Sequence, residues 1–344
     1  MFAKRSSKIF AAVGVLLLGF AALLQFVLVP SLSKLPGDLD VNPVYEGTGT
    51  LLNAQALQAG DLSNVIASDV PVTVDRHIYV SSTDGDTALA HDDITLEAPG
   101  LVVPSNHTYA IDRKTMDAAS GELQEGVEPH SGMTIALPLH PDSSETYQYY
   151  DSATRTTVPM TYVDSGSISG RDVLNYTVEA TGKLADPAIL GALPPALPKA
   201  LLGSLAPQLP ADVQQSLGGA VDQLPDPVPF TYTAVTQIAL AADQTLGSPI
   251  DAKLNQQIIA NVEVDGQLVP VMPVLSIDTA LTDQSIENAA ASAQSQSTQL
   301  NLISVVAPLV LLALGLLAIA VGFLRRNPSE SVQPPATRED VSIR

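Results

Sequence analysis

The sequence predicts an α+β protein: a mainly antiparallel β domain with short helical caps, flanked by two transmembrane helices. Three observations predict it. An apolar run lies near each end of the chain, the stretch between them alternates with period two, and a Leu/Pro-rich segment interrupts that stretch.

Lys4, Arg5 and Lys8 precede the first run, Ile9 to Val29, whose 21 residues include one strongly polar side chain, Gln25. At about 1.5 Å per residue a helix of that length crosses the roughly 30 Å hydrocarbon core of a bilayer. A basic start before an apolar centre also suits a cleaved signal peptide. The run is longer than a signal core, however, and "FVLVPSLSKLPG" holds no small-x-small cleavage site, so an uncleaved anchor over residues 9–30 is expected. The second run, Leu302 to Leu324, carries no charge over 23 residues and stops at Arg325-Arg326, predicting a span over 300–324. With basic residues outside both runs, the positive-inside rule puts residues 1–8 and 325–344 in the cytoplasm. Residues 31–299 then form a periplasmic domain of a two-pass cytoplasmic-membrane protein.

Within that domain, residues 31–70 read as a linker and entry segment, with Pro and Gly turns in "KLPGDLDVNP" and "YEGTGT". In "VTVDRHIYV", Val72, Val74, Ile78 and Val80 share one face and Thr73, Asp75, His77 and Tyr79 the other, the pattern of a half-buried strand. "TDGD" (83–86) turns the chain into "DITLEA", "FTYTAV" (230–235) alternates again, and Asp265-Gly266 between apolar runs marks a hairpin. "DQSIENAAASAQSQSTQLN" (283–301) is a proline-free helix capped by Thr282 or Asp283 and continuing into the second span.

Residues 183–229 stand apart, with nine prolines and ten leucines. The prolines cut them into helical pieces, "PAILGAL", "PKALLGSLA" and "PADVQQSLGGAVDQL", too short to be stable in water without an apolar surface. A fully buried leucine contributes about 1.5–3 kcal/mol, so these leucines either cap the β core or contact lipid as the mouth of an apolar passage. The candidates for lipid contact are Leu197, Leu201, Leu202, Leu205, Leu209, Leu217 and Val221.

Composition narrows the function classes. Outside residues 1–30 and 325–344 the chain has nine Lys and Arg against 33 Asp and Glu. Such a domain repels nucleic acid and anionic headgroups. The absence of cysteine removes disulfides, thiolate nucleophiles and thiolate metal ligands. None of the five histidines falls in His-x₃-His or His-Glu-x₂-His spacing, and "HDD" (91–93) reads as an acidic solvated turn. No Gly-x-Ser-x-Gly elbow occurs, and "DSGSISG" reads as a strand–turn–strand link. No catalytic residue, cofactor or metal site is therefore expected. Tyr147 and Tyr150, with Tyr149, Tyr162 and Tyr176, offer either interstrand packing or a sugar-stacking surface. Arg113 offers either an exposed turn or a headgroup contact.

"YAIDRKTM" (109–116), "HSGMTIALPLHPDSSETYQYYD" (130–151) and "MTYVDSGSISGRDVLNYTV" (160–178) resemble a family of mycolic-acid bacteria labelled PorA-family porin. The landmarks are Asp112-Arg113-Lys114-Thr115, Gly132, Pro138, Tyr147, Tyr150-Asp151, Tyr162, Gly170 and Tyr176. "ISGRDVL" departs from the family's step at that point. The resemblance implies a periplasmic β-rich domain between two anchors and a part in lipomannan maturation and lipoarabinomannan formation. The plan is also similar to that of class B scavenger receptors, whose two-anchor ectodomains enclose a lipid-conducting tunnel. A pore is not implied, because two helices do not enclose an aqueous channel. The expected function is thus a non-enzymatic envelope protein that binds or passes on a membrane lipid or lipoglycan, with envelope glycosyltransferases or transporters as further partners. A scaffold for glycosyltransferases, and a hydrolase or transferase without a recognisable motif, are the alternatives.

Overall fold

The computed structural model describes residues 2–53, 56, 59, 61, 64–205, 213–214, 224–264 and 266–324. In chain order the elements begin with α1 (Phe2–Leu23), α2 (Val29–Leu32), β1 (Asp40–Val41), β2 (Val44–Leu52), β3 (Ile66–Asp84), β4 (Thr87–Ala98) and β5 (Leu101–Asp112). Then come β6 (Gln148–Asp151), β7 (Thr156–Ile168), β8 (Arg171–Lys183), α3 (Pro187–Ala192), β9 (Ala196–Leu197) and α4 (Lys199–Leu205). The remainder is β10 (Val228–Pro229), β11 (Thr231–Asp243), β12 (Pro249–Val264), β13 (Gln267–Leu281), α5 (Asp283–Asn301) and α6 (Ala307–Leu324). The chain divides into two units, Met1–Leu32 with Gln299–Arg344, and Ser33–Thr298.

In the first unit α1 and α6 pack through small residues. A Cβ added to Gly14 would collide with the Gly315 carbonyl and Ile319, and one added to Gly315 would press on Leu18. Glycine lets helix backbones approach closely where lipid supplies no hydrophobic drive between them. Leu16, Phe20, Phe26, Leu317 and Phe323 stay exposed. Both helical segments, Lys8–Ser31 and Asp283–Leu324, are long and apolar enough to cross a membrane. As expected, the helix begun at Asp283 runs without a break to Leu324, taking π geometry over Leu302–Val306 between α5 and α6.

The second unit is one antiparallel sheet in the order β5-β4-β3-β2-β13-β12-β11-β8-β7-β6, with β1 on β3, curled as a half-barrel. A two-stranded β9–β10 pair lies apart from it. Period two decides the faces. Val72, Val74, Ile78 and Val80 of β3 are buried, and their neighbours Asp75 and His77 are not. The predicted turns are present: Gly85 and Gly266 take positive φ, and Ser169-Gly170, both with φ > 0, close the tight hairpin within "DSGSISG". Thr282 caps α5, its Oγ1 accepting from the Ser285 amide at 3.2 Å.

The linker expectation for residues 31–70 is corrected. β2 lies inside the sheet between β3 and β13, because Gly47, which reads as a turn residue, is needed for close approach. A Cβ there would strike the Asp278 carbonyl of β13.

Two apolar clusters form on the buried face of the sheet. One gathers Leu51, Val72, Val74, Leu202, Val228, Ile258, Val274 and Ile277, and the other Ile78, Val80, Tyr109, Met133, Leu137, Met160 and Tyr176. The irregular segment 113–147 contributes Met116, Met133, Ile135 and Leu137 to the second cluster. Its Glu128 and Met133 amides bond β5 (Thr108) and β6 (Gln148), each at 2.8 Å. Gly247, at φ 69, sits so close to the Leu137 and Pro138 carbonyls that a side chain would clash.

Candidate functional site

Between the half-barrel and the chain that packs on it lies a cavity of about 580 Å³, within the usual range of small-molecule sites. Its wall is largely aliphatic: Leu51, Ile94, Leu101, Ile135, Leu254 and Ile277 are representative. Ile189, Ala192, Leu193 and Pro194 bring the Leu/Pro-rich segment onto it. Exposed Pro99, Gly100, Ala192 and Lys253 are also among its lining residues, and mark where it meets solvent.

A polar belt crosses this apolar space. On β3 Arg76 falls between Val74 of one cluster and Ile78 of the other. On β4 Asp92 falls between Ala90 and Ile94, and on β5 Ser105 and His107 fall between Val103 and Tyr109. The register sets Arg76 opposite Ile94, and Asp92 opposite both Ile78 and His107, so the charges are diagonal neighbours. Arg76 Nε donates to Asp92 Oδ1 at 3.0 Å, and Nη2 donates to Oδ2. Asp92 is 4 % exposed. The "HDD" stretch is therefore a buried strand rather than a solvated turn, because Asp92 shares its face with Ile94 and Leu96.

The second part of the belt centres on His107. Its Nδ1 donates to Glu128 Oε2 at 2.9 Å, and Nε2 lies 3.0 Å from Ser105 Oγ and 3.4 Å from Asp186 Oδ2. Ser105 Oγ donates to Asp186 Oδ2 at 2.6 Å, while Asp186 Oδ1 caps α3 by accepting from the Ala188 and Ile189 amides. Tyr150 and Arg155 complete the shell of Glu128 at 2.7 and 3.3 Å. Burial alone would lower the His107 pKa, but the bonds to Asp186 and Glu128 outweigh it and raise it to about 9. Burial alone would raise that of Asp186, yet the bonds from His107, Ser105 and the α3 amides carry it down to about 2.

This charge state decides the chemistry. Serine, imidazole and carboxylate stand in the order of a nucleophile, its base and an orienting group. A base must offer a bare nitrogen, however, and an imidazole carrying both protons at neutral pH offers none. Ser105 Oγ donates its hydrogen bond to the ionised Asp186 carboxylate instead. The cluster is an ion-pair network that ties α3 to β5. Because the folded-state pKa of His107 lies above its unfolded value of about 6.5, the stabilisation is complete below pH 6.5 and disappears as pH rises through about 9. Thermal unfolding of the full chain in detergent is expected to show a midpoint falling between pH 6.5 and 9, and a His107→Gln chain lacks that slope.

Of the residues singled out by sequence, Leu197 and Leu202 are buried in the first cluster and Leu201 packs against it. None of these three lines the cavity. Leu205 closes α4. Leu209, Leu217 and Val221 lie outside the described residues. Tyr150 lines the cavity. Tyr147 is buried edge-on to Tyr176, its hydroxyl accepting from the Asp142 amide. Arg113 donates to the Leu35 and Gly85 carbonyls, bracing the turn after β5. Sequence reasoning missed Arg76, Asp92, His107 and Asp186. For the first two the signal was present, since period two puts an Arg and an Asp into apolar stripes.

The family model described as Porin PorA matches residues 6–324. The chain belongs to the porin PorA family. With its two candidate membrane helices, this PorA-family chain is a membrane-associated envelope protein. No curated protein matches it. Among solved structures it is similar to a MaoC-like dehydratase from Phytophthora capsici, at 10 % identity over 70 % of this chain and 71 % of that one, with a TM-score of 0.14. It is also similar to a conserved hypothetical protein from Mycobacterium tuberculosis with a double hotdog fold, at 13 % identity over 79 % and 91 %, with a TM-score of 0.16. Scores this low carry no argument about fold or function.

Proposed function

We propose that this PorA-family protein holds a lipid or lipoglycan intermediate in the cavity of its β domain and passes it on during lipomannan and lipoarabinomannan maturation. Both termini lie in the cytoplasm and the β domain outside, tethered by α1 and α6. The observation that carries the binding step is the aliphatic cavity of about 580 Å³, walled on one side by the Leu/Pro-rich segment. The lipoglycan assignment rests on the family resemblance of the motifs between Tyr109 and Val178. The distribution of polar residues supports a water-bathed domain. The sheet turns Val72, Val74 and Ile78 inward and leaves Asp75, Glu97 and Glu179 exposed, the reverse of a membrane barrel, whose apolar residues face lipid.

The test is native mass spectrometry of the full chain purified in mild detergent. Bound lipid is expected, and Ala192→Trp, at an exposed lining position, is expected to reduce occupancy several-fold without changing the unfolding midpoint. A chain that carries no lipid and takes up none when offered phosphatidylinositol mannoside would overturn the proposal.

A further inference from the structure

We propose that the polar belt reads the ester linkages of its lipid, holding acyl carbonyls inside the cavity and leaving any charged head outside. The inference rests on the lipid-binding reading above and specifies which part of the molecule is recognised.

The charges are already spent. Arg76, half-buried, is the one cation among the described lining residues that is not exposed, and Asp92 takes two of its donors. The buried carboxylates on the wall are each held, Asp92 by Arg76, Asp186 by Ser105 and the α3 amides, and Asp151 by the Thr154 amide and hydroxyl. A phosphate entering this space meets carboxylates and finds no free cation, so it stays in water. Lys253, the other cation on the lining, is exposed.

What remains open is donor capacity. Guanidinium carries five N–H donors and no acceptor, and the Nη1 end of Arg76 has no partner among the described residues. Tyr45 and Tyr149 stand within electrostatic reach of Arg76 and line the same cavity. Neither hydroxyl has a hydrogen-bond partner among the described residues. A guanidinium edge and two phenols facing an apolar space match a group that accepts without donating and carries no charge. An ester carbonyl has those properties. A carboxylate or phosphate brings a charge that the guanidinium, already paired with Asp92, does not balance. Aliphatic wall on both sides of the belt, Ile94 and Leu101 on one and Ile135 and Ile238 on the other, provides for chains running away from a central ester.

The experiment compares 1,2-dioleoylglycerol with its 1,2-dioleyl ether analogue, which has the same chains but no carbonyls, on the full chain in detergent after delipidation. One charge-assisted hydrogen bond is worth about tenfold in affinity. The diester is therefore expected to bind at least tenfold more tightly than the diether. In Tyr45→Phe/Tyr149→Phe the diester-to-diether ratio is expected to fall several-fold, and the thermal unfolding profile reports an intact fold. Equal binding of both probes by the unaltered chain would overturn the ester inference and leave the lipid-binding reading standing. Binding of neither would overturn both.

Discussion

Asp186→Ala is expected to destabilise the β domain by about 3–5 kcal/mol, the cost of breaking a buried charge pair. Asp186 is 2 % exposed and serves two structures at once. One oxygen caps α3, at 2.7 and 3.2 Å from the Ala188 and Ile189 amides, and the other accepts from Ser105 beside His107. Alanine leaves the His107 imidazolium with Glu128 as its single carboxylate partner, strands the Ser105 proton and orphans the first turn of α3. Asparagine keeps an acceptor for the cap, which is worth about 1 kcal/mol, and loses the charge, so Asp186→Asn is expected to fall between the two. Since α3 carries Ile189 and Ala192 onto the cavity wall, lipid occupancy is expected to fall with stability. Urea unfolding of the full chain in detergent checks the prediction, and a loss below 1 kcal/mol for Asp186→Ala would show that the tie is slack.

The second large effect concerns the other half of the belt. Arg76→Met leaves Asp92 buried without a counter-ion, and a cost of about 3–5 kcal/mol is expected. Asp92→Leu leaves the guanidinium similarly unpaired. The double variant Arg76→Met/Asp92→Leu removes both charges together, and substitution of buried ion pairs by apolar residues of similar volume is often neutral or stabilising. The expected outcome is therefore strong non-additivity, with the double variant within about 1 kcal/mol of the unaltered chain. Full additivity would mean that the two groups do not depend on one another, against their bidentate geometry. A stable double variant also separates folding from recognition, because it keeps the apolar cavity and loses the Arg76 donor.

The belt shows where sequence patterning stops being informative. In "VTVDRHIYV" the alternation that buries Val72, Val74, Ile78 and Val80 also turns the half-buried Arg76 to the same face, so its position is readable from one strand. That Asp92 meets it is decided by the β-bulge between Val80 and Ser82, because a regular hairpin around Gly85 would set Arg76 opposite Thr95 instead of Ile94. The His107 cluster is different. Ser105 and Asp186 are 81 residues apart, and Glu128 comes from a segment without regular structure. Local pattern contains no information about such a convergence. The same limit separates the leucines. Leu197 and Leu202 look like Ile189 and Leu193 in composition, yet the first two fill the core and the second two line the cavity.

By itself, the chain's amino-acid order determined two membrane-length helices, an antiparallel sheet between them, the faces of its strands and the first two helical pieces set off by proline, the third (210–224) lying largely outside the described residues. Those features follow from local periodicity and backbone chemistry, which act over a few residues. Only the tertiary structure decided that β2 enters the sheet, that the half-barrel keeps a cavity, and that two ion-pair groups cross it. Those depend on how the sheet curls and on which distant segments close over it, and burial makes unpaired charge costly enough that such groups must find one another in space.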